Sequence, residues 1–422
     1  MTGLTTAWWR HLANVRWFGG KGAPGAITAL EALPWYTAPD AVPAVRSEIA
    51  TIDYADGRRE FYHLLVAHYP AGAAPGEVLA RLGTVDVVDA TTDPASVRAF
   101  VDACQRRGVP GMTWTVPQPP ATEVRVWAGE QSNTTITLDD TSLFKVFRRI
   151  EPGPNLDAEV LGALAGSGTA VPALFGRLTA DWPAGGTTDL GMVIERVPGA
   201  RDGWEIATAA CAAGTDFGED ARALGVALAA VHAQLAATFG TGTASGDELA
   251  ATMTRRLDEA VAVAEVLRPH RDALAATVAV LRGRPLTVQR VHGDFHLGQT
   301  LRSPAGWTII DFEGEPAKTA AERRAPDSVW RDVAGMLRSF DYARSAHPEP
   351  TSEAARTWSQ TACTAFVGGY CGDRDLPTGV LAPYLVDKAV YEVVYETRNR
   401  PTWVGIPLQA ITELAHDHTT AD

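Results

Sequence analysis

Residues 290–316 read RVHGDFHLGQTLRSPAGWTIIDFEGEP, and the interpretation of the whole chain turns on this stretch. Asp294 is followed five positions later by the amide Gln299, and the apolar run 307–310 predicts a short strand that ends on Asp311. Two carboxylates and an amide are hard oxygen groups, suited to accepting a hydroxyl proton and to ligating magnesium.

Phosphoryl transfer needs that set: a carboxylate that takes or orients the attacking hydroxyl, and oxygen ligands that hold Mg2+ on the β- and γ-phosphates of ATP. The spacing is that of a kinase catalytic loop, with Gln299 where Asn is usual and Asp-Phe-Glu (311–313) where Asp-Phe-Gly is usual. It assigns Asp294 as catalytic base and Gln299, Asp311 and Glu313 as metal ligands. His292 is expected to orient the loop by hydrogen bonding and to stand on the substrate side with Asp294. A metal-dependent hydrolase built on His292, Asp294 and His296 is the competing chemistry, but it leaves Gln299 and Asp311 without a task. A catalytically dead ATP-binding protein is the other alternative, motivated by Gln299 and Glu313.

Working upstream, such a kinase requires a cation on a central strand to hold the α- and β-phosphates, paired with a Glu of the next helix. Lys145 lies inside the apolar run TSLFKVF, and Glu159 lies in the following predicted helix. The chain has four lysines among its 37 basic residues, so a lysine inside a strand stands out. Lys serves as a compact point charge for phosphate, which Arg does not replace. The loop 129–134 has a single glycine, Gly129, and Gln131, Ser132, Asn133 and Thr134 are its candidates for lining phosphates. The backbone of Glu195 and Val197 occupies the place of an adenine-binding hinge.

Composition fits a soluble enzyme. Of 422 residues, 46% are hydrophobic and 21% charged, and the formal net charge of −13 argues against a nucleic-acid partner. No leader pattern opens the chain and no stretch reads as a membrane span, so a cytoplasmic protein without membrane partners, acting as a monomer, is expected. Cys104, Cys211, Cys363 and Cys371 form no C-x-x-C pair and predict reduced, buried thiols. Three regions follow from the patterns: a cap subdomain at 1–90 with a hairpin about 55–57; an N-lobe at 91–200 whose sheet contains Lys145; and a helical C-lobe at 201–422.

Near the C-terminus, residues 391–403 read YEVVYETRNRPTW. Glu392 and Glu396 share one helical face, and Trp403 offers a flat face to a pyranose ring. Together with RWFGGKG, VHGDFHLGQTL, IIDFEGEP and RRAPDSVWRDVAGMLRSFDYA, this run makes the chain resemble the maltokinase and glucosamine kinase group of the aminoglycoside-phosphotransferase-like superfamily. The resemblance implies an α+β, bilobal, protein-kinase-like fold with an N-terminal cap, a β-rich N-lobe and a mainly helical C-lobe. It also implies ATP, Mg2+ and a small-molecule sugar acceptor. An amino group would suit a pocket of Asp294, Glu392 and Glu396, which favours glucosamine phosphorylated on its 6-hydroxyl. Maltose converted to maltose 1-phosphate is the alternative, followed by an aminoglycoside acceptor.

Overall fold

A computed structural model describes residues 3–419 except 107–108, 128, 130–131, 183–184, 316–317 and 375–378, and describes 417–419 by backbone alone. The chain divides into two compact units, residues 1–162 with 172–198 and residues 163–171 with 199–422.

The first unit contains two antiparallel sheets. In one, Gly25–Trp35, Ala44–Tyr54, Arg59–Pro70, Val85–Asp89 and Ala80–Leu82 lie in that order. The hairpin expected about 55–57 is present: Asp53 faces Arg59, and Gly57 has φ +87°. Trp8, Leu12 and Phe18 close one face of this sheet over Ile52, Leu64 and Val66. Each such buried side chain stabilises by roughly 1.5–3 kcal/mol. The second sheet has the order Met112–Trp114, Leu174–Asp181, Thr187–Glu195, Ser142–Val146, Thr134–Leu138, Val124–Val126. A turn at Asp139–Asp140 joins Thr134–Leu138 to Ser142–Val146, with Asp139 at φ 49°.

The two sheets are tied together through one short segment. Arg149–Ile150 pairs with Arg59–Pro70 of the first sheet, directly after the strand that carries Lys145. Arg148 is buried at this junction, donating to Thr134 Oγ1 and Thr91 Oγ1 at 2.8 Å each and lying 4.5 Å over the Trp17 ring. His63 is buried beside it, between Ser47 Oγ at 2.6 Å and the Phe147 carbonyl at 3.0 Å.

The second unit is mainly helical. The long helix Gly218–Phe239 packs its apolar face, Leu224, Leu228, Val231 and Leu235, against Glu353–Cys371. By length and composition it could cross a membrane, contrary to the expectation that no segment would; its alanines raise its mean hydropathy, while its buried face is that of a core helix. Two small antiparallel sheets interrupt the helices, Arg201–Asp202 with Thr300–Ser303 and Gly306–Ile309, and Thr241–Ser245 with Pro285–Gln289.

Candidate active site

In the second unit the hairpin Thr300–Ser303/Gly306–Ile309 brings the expected metal ligands together. Its register runs from Ser303 opposite Gly306 to Thr300 opposite Ile309, and the Ile310 amide continues it by donating to the Gln299 carbonyl at 3.0 Å. Asp311 is the next residue, so a separation of twelve in sequence becomes adjacency at the open end of the hairpin. Asp311 has φ +68°, a left-handed conformation that costs a non-glycine residue on the order of 1 kcal/mol and that concentrates at functional sites. The Gln299 side-chain amide makes no hydrogen bond among the described residues.

These groups fit magnesium. An open amide oxygen and a carboxylate are hard donors, and no group of three or more His, Cys, Asp or Glu able to hold a metal occurs among the described residues. A partial oxygen set of this kind suits an ion that retains phosphate and water ligands. Glu313 is half-buried, and its carbonyl accepts from Arg323 at 2.9 Å.

The loop carrying Asp294 is suspended from Asp332, which sequence reasoning missed. The Asp332 carboxylate accepts the His292 amide at 2.7 Å, the Gly293 amide at 2.8 Å and His232 Nε2 at 2.9 Å. Burial would raise its pKa, but His232, His292 and the Gly293 amide hold it below the usual carboxylate value. Gly293 turns at φ +86°, and the helix Trp330–Ala343 approaches so closely that a Cβ on Gly335 would lie 2.5 Å from the Phe295 carbonyl. The available signal was an acid on the apolar face of a strongly amphipathic helix.

His292 orients the loop, as expected, and its assignment to the substrate is corrected. It is buried, its ring packs 4.8 Å from Phe312, and its Nε2 donates to the Ile310 carbonyl at 2.9 Å. The Asp294 amide points at its Nδ1 at 3.4 Å, so both ring nitrogens are engaged. His296 gains a role: its Nδ1 accepts the Gly298 amide at 3.1 Å and caps the short turn Leu297–Gln299. Burial draws its imidazole below the usual pKa, more than Asp294 lifts it.

Asp294 is partly exposed, and Lys388 Nζ lies 3.3 Å from its Oδ1. Its Oδ2 accepts no hydrogen bond among the described residues, the His296 Nε2 standing 4.0 Å away. Burial opposes the Lys388 charge, yet Asp294, Glu392 and Glu315 outweigh it and raise its pKa. Lys388 comes from the helix Leu381–Asn399, 94 residues away, and sequence spacing offered no means of pairing it with Asp294.

The acceptor residues on that helix differ from expectation. Glu392 and Glu396 are buried rather than open: Glu392 accepts from Arg338 at 2.9 Å, and Glu396 from Arg400 at 2.7 Å and Tyr342 at 3.2 Å. Burial raises the Glu392 pKa against Arg338 and Lys388. Among the described residues, the buried Oε2 of Glu396 has no hydrogen-bond partner. The open features are aromatic. Tyr391 and Tyr395 stack at 6.3 Å, and Arg400 lies 5.4 Å over Tyr395 and 5.0 Å over the exposed ring of Trp403.

In the first unit Lys145 is central in its sheet, opposite Thr135 on one side and Met192 on the other. Its Nζ meets Asp157 Oδ2 at 2.8 Å, a carboxylate two residues before the expected Glu159. Asn155 sets its position by capping the helix Leu156–Leu164, accepting the amides of Asp157 at 2.9 Å and Ala158 at 3.2 Å. Glu159 lies on the same helix, half-buried.

The phosphate-lining expectation is corrected in part. Thr134 is buried and spends its hydroxyl on Arg148, and Asn133 Oδ1 accepts the Arg148 amide at 3.3 Å, because the hairpin register turns both toward that junction. Ser132 is exposed, and Gln131 lies outside the described residues. The Glu195 amide is taken by the Ala173 carbonyl at 2.9 Å, whereas Val197 has no backbone hydrogen bond among the described residues.

A β-rich unit with a lysine–carboxylate pair on its sheet and a helical unit with an oxygen-lined loop define a kinase-like phosphotransferase. The chain belongs to the phosphotransferase enzyme family, whose sequence pattern matches residues 123–362. Its relatives are more particular. It is 30% identical over 327 residues to the glucosamine kinase of Streptacidiphilus jiangxiensis, covering 70% of this chain and 74% of that protein. It is 28% identical over 329 residues to the glucosamine kinase of Mycolicibacterium smegmatis, covering 69% and 79%. A solved glucosamine kinase in complex with glucosamine, ADP and inorganic phosphate is similar at 25% identity with a TM-score of 0.70, covering 96% of this chain and 99% of its own.

Proposed function

We propose that this protein transfers the γ-phosphoryl group of ATP to the 6-hydroxyl of glucosamine. The observation that carries the reading is Asp294, whose Oδ1 is held by Lys388 while Oδ2 is left open, on the loop that also delivers Gln299 and Asp311. The similarity to glucosamine kinases supports the choice of acceptor.

The acceptor hydroxyl oxygen bonds to the γ-phosphorus as the bond from that phosphorus to the β,γ-bridging oxygen breaks, and ADP leaves. The hydroxyl proton passes to Oδ2 of Asp294. A positioned base of this kind contributes about 10²–10⁴-fold. Lys145, fixed by Asp157, presents a point charge to the α- and β-phosphates, and the Val197 backbone offers hydrogen bonds to adenine. Gln299 and Asp311 would hold magnesium, which when bound withdraws charge from the β- and γ-phosphate oxygens. Asp332 and His292 keep the loop in one conformation, so the base needs no rearrangement to act.

A panel of amino sugars, neutral hexoses, maltose and aminoglycosides incubated with ATP and magnesium, with products read by phosphorus NMR, tests the reading. A 6-phosphate from glucosamine is expected. Turnover of maltose to a 1-phosphate with glucosamine unreacted would overturn it.

A further inference from the structure

Lys388 is unexplained by the family pattern used above, yet it is the cation on Asp294. It is one of only four lysines in a chain that carries 33 arginines. Its Nζ reaches Asp294 Oδ1 at 3.3 Å and lies 5.3 Å over the Tyr391 ring. Three carboxylates surround this ammonium, but two have other cationic partners: Glu392 is paired with Arg338 at 2.9 Å, and Glu315 with Lys318 at 3.1 Å. Among the described residues Asp294 has no other Lys or Arg within ion-pair distance. Lys388 and Tyr391 also line a cavity of about 350 Å3 with Glu315 and Lys318; its described lining reaches Lys388 but does not include Asp294. That size falls in the range of small-molecule sites, roughly 300–1,000 Å3.

We propose that Lys388 is a positioning residue that aims Asp294 and sets which hydroxyl is phosphorylated: it fixes Oδ1, turns Oδ2 to the acceptor, and repels an acceptor cation next to the reacting oxygen. This inference rests on the glucosamine reading. On glucosamine the ammonium at carbon 2 neighbours the hydroxyls at carbons 1 and 3 and lies across the ring from the 6-hydroxyl. Presenting either neighbour to Asp294 would bring two ammonium groups together beside one carboxylate, whereas presenting the 6-hydroxyl keeps them apart. Lys388 therefore acts against the wrong hydroxyls as much as for the right one.

Full-length wild type, Lys388→Met, Lys388→Gln and Lys388→Arg are compared for kcat and KM with ATP, glucosamine and glucose, with products resolved by phosphorus NMR and folding checked by thermal melting. Lys388→Met and Lys388→Gln should lower kcat on glucosamine about tenfold or more with KM for ATP unchanged. They should lower the ratio of KM for glucosamine to KM for glucose at least threefold, and release some product phosphorylated away from carbon 6. Lys388→Arg, which keeps the charge, should hold the wild-type KM ratio and product. A folded Lys388→Met or Lys388→Gln enzyme with unchanged kcat, KM ratio and product overturns the inference while leaving the function standing. A Lys388→Arg enzyme whose KM ratio shifts like that of the neutral variants also overturns it. Wild type inactive on glucosamine overturns the functional reading and this inference together.

Discussion

The carboxylate of Asp332 receives the backbone amide of His292 at 2.7 Å, and through this bond a helix 40 residues downstream fixes the loop that carries Asp294. Asp332 is fully buried and also accepts Gly293 and His232. Asp332→Ala leaves two amides and an imidazole without their acceptor, at a cost of about 3–5 kcal/mol. Urea titration of the variant should show this loss, and kcat should fall in whatever fraction remains folded. A variant as stable as wild type would contradict the role.

On the nucleotide side, Asp157→Asn removes the charge that holds Lys145 at 2.8 Å. KM for ATP should rise about tenfold, equivalent to roughly 1.4 kcal/mol, with KM for the sugar unchanged. The same kinetics on Glu159→Gln separate the two carboxylates. A larger effect at 159 than at 157 would assign the nucleotide-side role to Glu159, the residue expected from sequence.

Trp403→Ala tests the aromatic platform. Its ring is exposed and covered on one side by Arg400 at 5.0 Å, so its loss should leave stability within about 1 kcal/mol. KM for glucosamine should rise about threefold or more while KM for ATP stays constant. Unchanged sugar kinetics would remove Trp403 from the acceptor site.

Stability of the first unit should depend on pH through His63. Burial first, and then Arg148, depress its pKa from 6.5 to about 3. Between those values the unfolded chain binds a proton that the folded chain excludes, so stability is lost as pH falls through this window. The slope from this group is about 1.4 kcal/mol per pH unit. Urea midpoints between pH 7 and pH 4 should fall less steeply for His63→Gln than for wild type. Parallel slopes would contradict the assignment.

What sequence could reveal depended on how far apart the cooperating residues lie. Gln299 and Asp311 were legible because a single hairpin makes them neighbours, and the apolar run and turn that build it are local. Lys145 was legible as a charge inside a strand. Asp157 was not, since helix periodicity fits it as well as Glu159, and the Asn155 cap that fixes its place beside the lysine is not written in that periodicity. Thr134 was misassigned because its direction follows from cross-strand register with Val146, where the buried Arg148 claims its hydroxyl. Lys388 and Asp332 act on the loop from distant helices, and no spacing rule reaches them. Glu392 and Glu396 do share a face, but that face is turned to Arg338 and Tyr342 in the interior.

The most direct test compares wild type with Asp294→Asn, following sugar phosphate by phosphorus NMR and binding of ATP with magnesium by calorimetry. Wild type should form glucosamine 6-phosphate. The variant should lose transfer by about 10²–10⁴-fold while binding ATP within about threefold of wild type. An Asp294→Asn enzyme that phosphorylates glucosamine at the wild-type rate would contradict Asp294 as the base.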